Sequence, residues 1–258
     1  MSDGEDWKYE GLRRFNLITG LAHAIQATLM LFFSNDQTLP IQTSFLRYDP
    51  TTSTVLSSIE TWFYLPIGPT IALFMYITAA SHLLVSTVGF QWYRRNLVRH
   101  RNPARWIEYS ITSSIMILLI SLLCGINDLA ALLPMVSLNA TMNLFGDLME
   151  LHNQTTERTD WTSFLYGTFA GAAPWMVIIL YFLGAVIPSS EALPGFLLFI
   201  VLSMLAFWIR FPINMILQYK KVGKWKDYLY GERAYIILSL VSKSALAWQV
   251  WFGTLRVG

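Results

Sequence analysis

Lys243 is an amine in a place where an amine is costly. It lies inside the apolar run Ala234–Leu255, ten positions beyond Arg233 and thirteen before Arg256. At a helical rise of about 1.5 Å per residue these separations are about 15 Å and 20 Å, farther than a lysine stem reaches. A lysine at the centre of a bilayer costs at least about 2.5–3.5 kcal/mol, so it needs a partner or a covalent fate. Ser239, one turn earlier on the same face, can offer a hydrogen bond. A compensating carboxylate is also needed. Glu108 lies within an apolar run, whereas Asp147 and Glu150 close another run at its charged edge and read as solvated. Glu108 stands in Asn102-Pro103-Ala-Arg105-Trp-Ile-Glu108-Tyr109, where Asn102 can cap a helix and Pro103 can take its first position. Arg105 and Glu108 share a face, and spacing alone leaves open a surface ion pair at a helix entrance. Glu108 is about five residues into its helix and Lys243 about ten into its own. The two meet only if the Glu108 helix starts recessed, with Arg105 drawn inward. His23 and His82 lie about 13 Å and 18 Å in from Arg14 and Arg94. Each can hold a proton near neutral pH or make an ordinary interhelical hydrogen bond. Thr78, one turn before His82, offers a hydroxyl that could hydrogen-bond Glu108.

The elements that position these residues follow from composition. The 258 residues have a mean hydropathy of +0.45, 54% hydrophobic and 13% charged side chains. A soluble domain carries about 25% charged residues, so a water-soluble globule is excluded, and disorder with it. The net charge of +2 gives no basic field for nucleic acid, and a single cysteine, Cys124, rules out an internal disulfide framework or a multi-cysteine zinc site. A membrane-crossing helix needs about 20 apolar residues. Seven segments qualify: Phe15–Phe33, Trp62–Val88, Trp106–Cys124, Leu129–Met149, Trp161–Ile187, Leu193–Leu217 and Ala234–Leu255. The expected fold is an all-α membrane protein, a seven-transmembrane-helix bundle forming one domain over 1–258. The first run follows a charged leader and contains His23, unlike a cleavable signal peptide.

Orientation follows from the cations. Of 18 Lys and Arg, 14 fall in the leader and in the connections after the second, fourth and sixth runs. Arg47 and Arg256 fall on the other side, and Arg210 and Lys243 lie within spans. The positive-inside rule then places the N-terminus in the cytoplasm and the C-terminus outside, in a cell-membrane protein. Arg210 is expected to snorkel toward the cytoplasmic interface. The first outer connection, 34–61, is long enough to have structure of its own. Ile41–Tyr48 and Thr54–Ile59 are rich in β-branched and aromatic residues and flank Asp49-Pro50, a strand–turn–strand pattern. A lone two-stranded hairpin is marginal in water, so it should lie on the bundle or on a second subunit.

Seven helices with a lysine midway along the last resemble the retinal-binding rhodopsins. Arg105-Trp-Ile-Glu108 is similar to the Arg-x-x-carboxylate of the third helix of microbial rhodopsins, where both residues are buried although early in the helix. Trp208-Ile-Arg-Phe211-Pro212 resembles the Trp-x-x-Tyr-Pro that walls retinal on the sixth helix, with Phe211 lacking the tyrosine hydroxyl. Lys243 matches the Schiff-base lysine. The inverted orientation, Trp106-Ile-Glu108-Tyr109, Ser239…Lys243-Ser-Ala-Leu-Ala-Trp248 and the long first outer loop resemble heliorhodopsins in particular, over essentially all seven helices.

This resemblance implies all-trans retinal as cofactor, bound through Lys243 as a protonated Schiff base with Glu108 as the one carboxylate counterion. It implies polar surroundings from His23, His82 and Ser239, and a chromophore wall from Trp208 and Pro212. Met142, Phe145, Gly146 and Trp175 are further pocket candidates. It also implies a non-enzymatic, slow-cycling photoreceptor in the lipid bilayer, working as a homodimer through a signalling partner that the sequence does not name. The microbial proton pumps that the chain resembles carry a carboxylate four positions before the lysine and a proton donor about eleven after the counterion. Ser239 and Leu119 occupy those places here, which argues against pumping. The alternatives are an ion-coupled transporter using the Glu108–Lys243 pair, a light-driven ion transporter, or a scaffold in which that pair only sets helix register.

Overall fold

The structure, a computed structural model, describes residues 6–187 and 195–255. The elements run α1 (Asp6–Phe32), β1 (Thr38–Asp49), β2 (Thr54–Pro66), α2 (Ile67–Ser86), α3 (Phe90–Val98), α4 (Pro103–Leu123), α5 (Leu129–His152), α6 (Thr162–Val186), α7 (Gly195–Tyr219) and α8 (Tyr228–Val250). A π-helical turn, Trp251–Leu255, extends α8. Among the described residues, seven helices, all but α3, are long and apolar enough to span a bilayer. They pack in chain order, α8 also closing on α1, and α4 touches α2, α5, α6 and α7. Its central place shows in its burial: Ile117, Leu119, Ile120 and Leu122 join Phe74, Met75, Leu246 and Val250 in the main core. Between helices in a bilayer such a core is held by close packing and not by the removal of apolar surface from water.

Helix starts are set by local chemistry. Asn102 accepts a hydrogen bond from the Arg105 amide at 3.2 Å, with Pro103 in the first turn of α4. Asp128 and Asp227 cap α5 and α8 from 3.1 Å and 3.0 Å. A cap of this kind is worth about 1 kcal/mol. Some elements differ from the sequence expectation. The second span starts at Ile67 and not at Trp62, because Trp62–Pro66 continue β2 and Phe63–Pro66 pair with Thr38–Ile41. An apolar aromatic run fits strand or helix equally until a partner strand is in place. The start of the sixth run, Leu193 and Pro194, lies outside the described residues. The short α3 was not expected. It buries Phe90, Tyr93 and Leu97 against Leu12, Leu229 and Ile236, and so covers the basic end of the bundle.

The hairpin is present, longer than its sequence pattern. Its register slips between Ile41 and Gln42, a bulge that bends the pair. Around the bulge it is fastened to the bundle: Ile41 is buried, the Gln42 amide donates to the Asn127 carbonyl at 2.8 Å, and Thr43 Oγ1 donates to Asp128 at 3.2 Å. Beyond it, Leu46, Tyr48, Ile59 and Trp62 are exposed. Asp49 closes the turn by accepting from the Thr51 amide at 2.8 Å and the Thr52 hydroxyl at 3.0 Å. Arg210 does not extend toward the basic end. Its Nη1 turns back one turn along α7 to donate to the Ala206 carbonyl at 3.0 Å, with the side chain exposed. The helix carbonyl is a nearer acceptor than an interface more than two turns away.

Candidate functional site

α8 and α4 bring the buried amine and carboxylate together. Lys243 Nζ lies 2.7 Å from Glu108 Oε1 and donates to Ser239 Oγ at 2.8 Å, with Lys243 and Glu108 only 3% and 5% exposed. The same Glu108 oxygen accepts from Thr78 Oγ1 at 2.5 Å and lies 2.8 Å from Thr112 Oγ1. The Tyr109 ring sits 4.8 Å from the ammonium and adds a cation–π contact. A buried ion pair is stable only when its remaining valences are satisfied, and these neighbours supply that. Thr112, one helical turn after Glu108, carried an i, i+4 signal that the sequence reading did not use.

The depth mismatch is resolved by the recessed start of α4. Arg105 is buried, 6% exposed, and it does not pair with Glu108. Its guanidinium bridges Glu150 on α5 and Glu232 on α8. The surface ion pair that spacing left open is therefore replaced by an interior one. Glu150, expected to be solvated, is 2% exposed. It also accepts from the Asn102 amide and Trp106 Nε1, both at 2.8 Å. Asp147 does stay near the surface, held by Arg101 at 2.6 Å and 2.9 Å. Glu232 went unnoticed in the sequence, where it sits in a basic stretch beside Arg233.

His23 and His82 stack, with ring centroids 6.0 Å apart and planes 10° apart. His82 Nδ1 is 2.6 Å from Asn16 Oδ1, whereas both His23 ring nitrogens and His82 Nε2 have no hydrogen-bond partner among the described residues. The histidines thus stack on each other, and no direct hydrogen bond joins either to Glu108.

On the other side of Lys243 lies a cavity whose walls are mainly apolar and aromatic. Of the expected pocket residues, Met142, Gly146, Trp175, Trp208, Pro212, Ser239 and Lys243 line it. Phe145 does not: it packs beside Gly167 and edge-on to Tyr166, because its position on α5 faces α6. Trp175 and Trp208 stand 6.2 Å apart, and Trp208 Nε1 contacts Met142 Sδ at 3.3 Å. One polar part of the wall is a notch in which Asn139 and Asn143 donate to Ser113 Oγ at 2.7 Å and 2.9 Å. Sequence reading missed it, because these residues become neighbours only when α4 packs on α5. An apolar slot that ends on a lone amine fits a long apolar molecule with an aldehyde at one end.

Residues 12–255 match the family model for heliorhodopsin. The chain belongs to the heliorhodopsin family. Like the family, this heliorhodopsin is a retinal-binding, light-absorbing, multi-pass membrane protein of a generally non-enzymatic class. Its fold is shared with a microbial rhodopsin, the crystal structure of cyanorhodopsin from the cyanobacterium Tolypothrix sp. The TM-score is 0.65 at 13% identity, over 100% of this chain and 97% of that one. No individually curated protein matches the sequence. The retinal that the family implies fits the slot described above: a nucleophilic nitrogen at one end and aromatic walls along it.

Close packing around that slot gives a direct test in this heliorhodopsin. A Cβ at Gly146 would run into the Trp106 ring, whose Nε1 is tied to Glu150. Gly146→Ala is expected to cost about 1–3 kcal/mol by overpacking. It should also narrow the cavity, slowing pigment formation when retinal is added to the apoprotein. Thermal melts and the growth of the visible band with time would check both.

Proposed function

We propose that this protein is a slow light sensor in which Lys243 carries retinal and Glu108 is its counterion. The observation that supports it is the 2.7 Å Lys243–Glu108 pair at the end of an aromatic cavity. Retinal, joined to the Lys243 amine through its aldehyde with loss of water, supplies a polyene that absorbs visible light and isomerises. The rest is the work of the chain. Glu108 neutralises the positive nitrogen at Lys243, and Thr78 and Thr112 hold the carboxylate in position. Trp175, Trp208 and Pro212 keep water away from the reacting end and restrict the space for rotation.

When light turns the nitrogen away from Glu108, its proton has local acceptors in Glu108 and the His23–His82 pair. Neither of the two positions where pumps carry a proton-transfer group holds one here. Ser239 bonds Lys243 itself, and Leu119 is fully buried in the core. The proton then returns the way it left, so the photocycle is long and nothing is transported. The basic end faces the cytoplasm, where a signalling partner would read the change. The exposed apolar half of the hairpin serves a second copy in a homodimer.

A pH electrode decides between sensor and light-driven transporter. Cells or vesicles carrying the pigment are expected to show no sustained pH change in light. A lasting, uncoupler-sensitive change would return the protein to the transporter class.

A further inference from the structure

The two buried charge clusters differ in their arithmetic. Lys243 and Glu108 balance one for one. Arg105 faces two carboxylates, Glu150 and Glu232, and the three side chains are 4%, 1% and 1% exposed. With both acids ionised the cluster carries an uncompensated negative charge out of water, which proteins generally avoid by keeping a group neutral.

Among the described residues the surrounding groups supply hydrogen bonds but no second cation. Glu150 accepts from the Asn102 amide, Trp106 Nε1 and, at 3.4 Å, Tyr228 Oη, and Glu232 accepts from Asn102 Nδ2 at 2.7 Å. From α8, the Tyr235 ring lies under the guanidinium at 4.0 Å. From α7, Tyr219 donates to the Met149 carbonyl, and from α3, Tyr93 is buried. All three are neutral phenols. Arg101 is engaged by Asp147. His100 stacks beyond Tyr228 at 4.8 Å, and burial, with Lys221 nearby, holds its imidazole below the usual histidine range, so at neutral pH it brings no charge. Glu150 also sits in the last turn of α5, where the carbonyl pole of the helix disfavours an anion.

We infer that Glu150 and Glu232 hold one proton between them, so that Arg105, Glu150 and Glu232 form a neutral proton-binding site at the basic end, separate from the retinal pair. Two carboxylates confined to one site share a proton for the same reason in other proteins. The site needs no retinal, because all its groups belong to the chain.

Infrared spectra of the full chain in lipid vesicles at neutral pH, with and without retinal, test this. A protonated-carboxyl band above the amide I region is expected in both forms, moving down in heavy water. It should vanish in Glu150→Gln and in Glu232→Gln, each of which leaves one carboxylate to one guanidinium, and persist in Glu108→Gln. Because each single change keeps Arg105 paired, Glu232→Gln should also melt close to the parent protein, which guards against a result caused by misfolding. No such band, or a band surviving in either of the two variants, overturns the inference.

Discussion

Lys243→Ala is expected to give a colourless protein: retinal added to it should produce no visible band beyond that of the free aldehyde. Lys243 is the one lysine that reaches the cavity, and it does so at 3% exposure with its Nζ fixed by Glu108 and Ser239. Among the described residues no other amine lines that space. The substitution also leaves Glu108 buried without a cation, a state that costs about 3–5 kcal/mol in a broken buried pair. Loss of colour and loss of fold must therefore be separated. Lys243→Ala combined with Glu108→Gln removes both charges, and it should recover most of the melting temperature while staying colourless. Borohydride reduction followed by mass analysis of the parent protein should place the added mass on Lys243. A coloured Lys243→Ala protein, or pigment on another residue, would sink the assignment.

Glu108→Gln is expected to keep the pigment and move its absorption strongly to longer wavelength. In the ground state positive charge is concentrated near the nitrogen, and on excitation it moves along the polyene. An anion 2.7 Å from that nitrogen lowers the ground state more than the excited state, so removing the anion narrows the gap. Glutamine is close to isosteric and can still accept from Thr78 and Thr112, whose hydroxyls lie 2.5 Å and 2.8 Å from the carboxylate oxygen. The shift thus reports charge and not rearranged packing. Acidifying the parent pigment until Glu108 takes up a proton should move the band the same way, and the Gln variant should no longer respond. A variant band that stays near that of the parent would mean the counterion is elsewhere. The buried alternative would be the Arg105 cluster, and Glu150→Gln would then shift the colour instead.

Much of this molecule is legible along the chain. Seven apolar runs, the one-sided distribution of Arg and Lys, the strand–turn–strand pattern around Asp49-Pro50 and the costly position of Lys243 are all local properties. Each depends on composition over a window of residues or on depth counted along one helix, so no knowledge of neighbours is needed. Glu108 was reachable as the partner of Lys243 by elimination, since few carboxylates lie within apolar runs.

Tertiary structure decided which groups meet. Arg105 has Glu108 on its own face one turn away, yet its partners are Glu150 and Glu232, 45 and 127 positions distant in sequence. Counting along a helix finds only neighbours three or four residues off, whereas a buried guanidinium takes whatever carboxylates the converging ends of α5 and α8 present to it. The same cause hid the Ser113–Asn139–Asn143 notch and the rotation of Phe145 out of the cavity. The start of α2 was settled only by β1, because an aromatic run becomes a strand when another strand satisfies its backbone. Sequence set what each segment must do with its apolar surface and its charges, and the packing of α4 among its neighbours determined with whom.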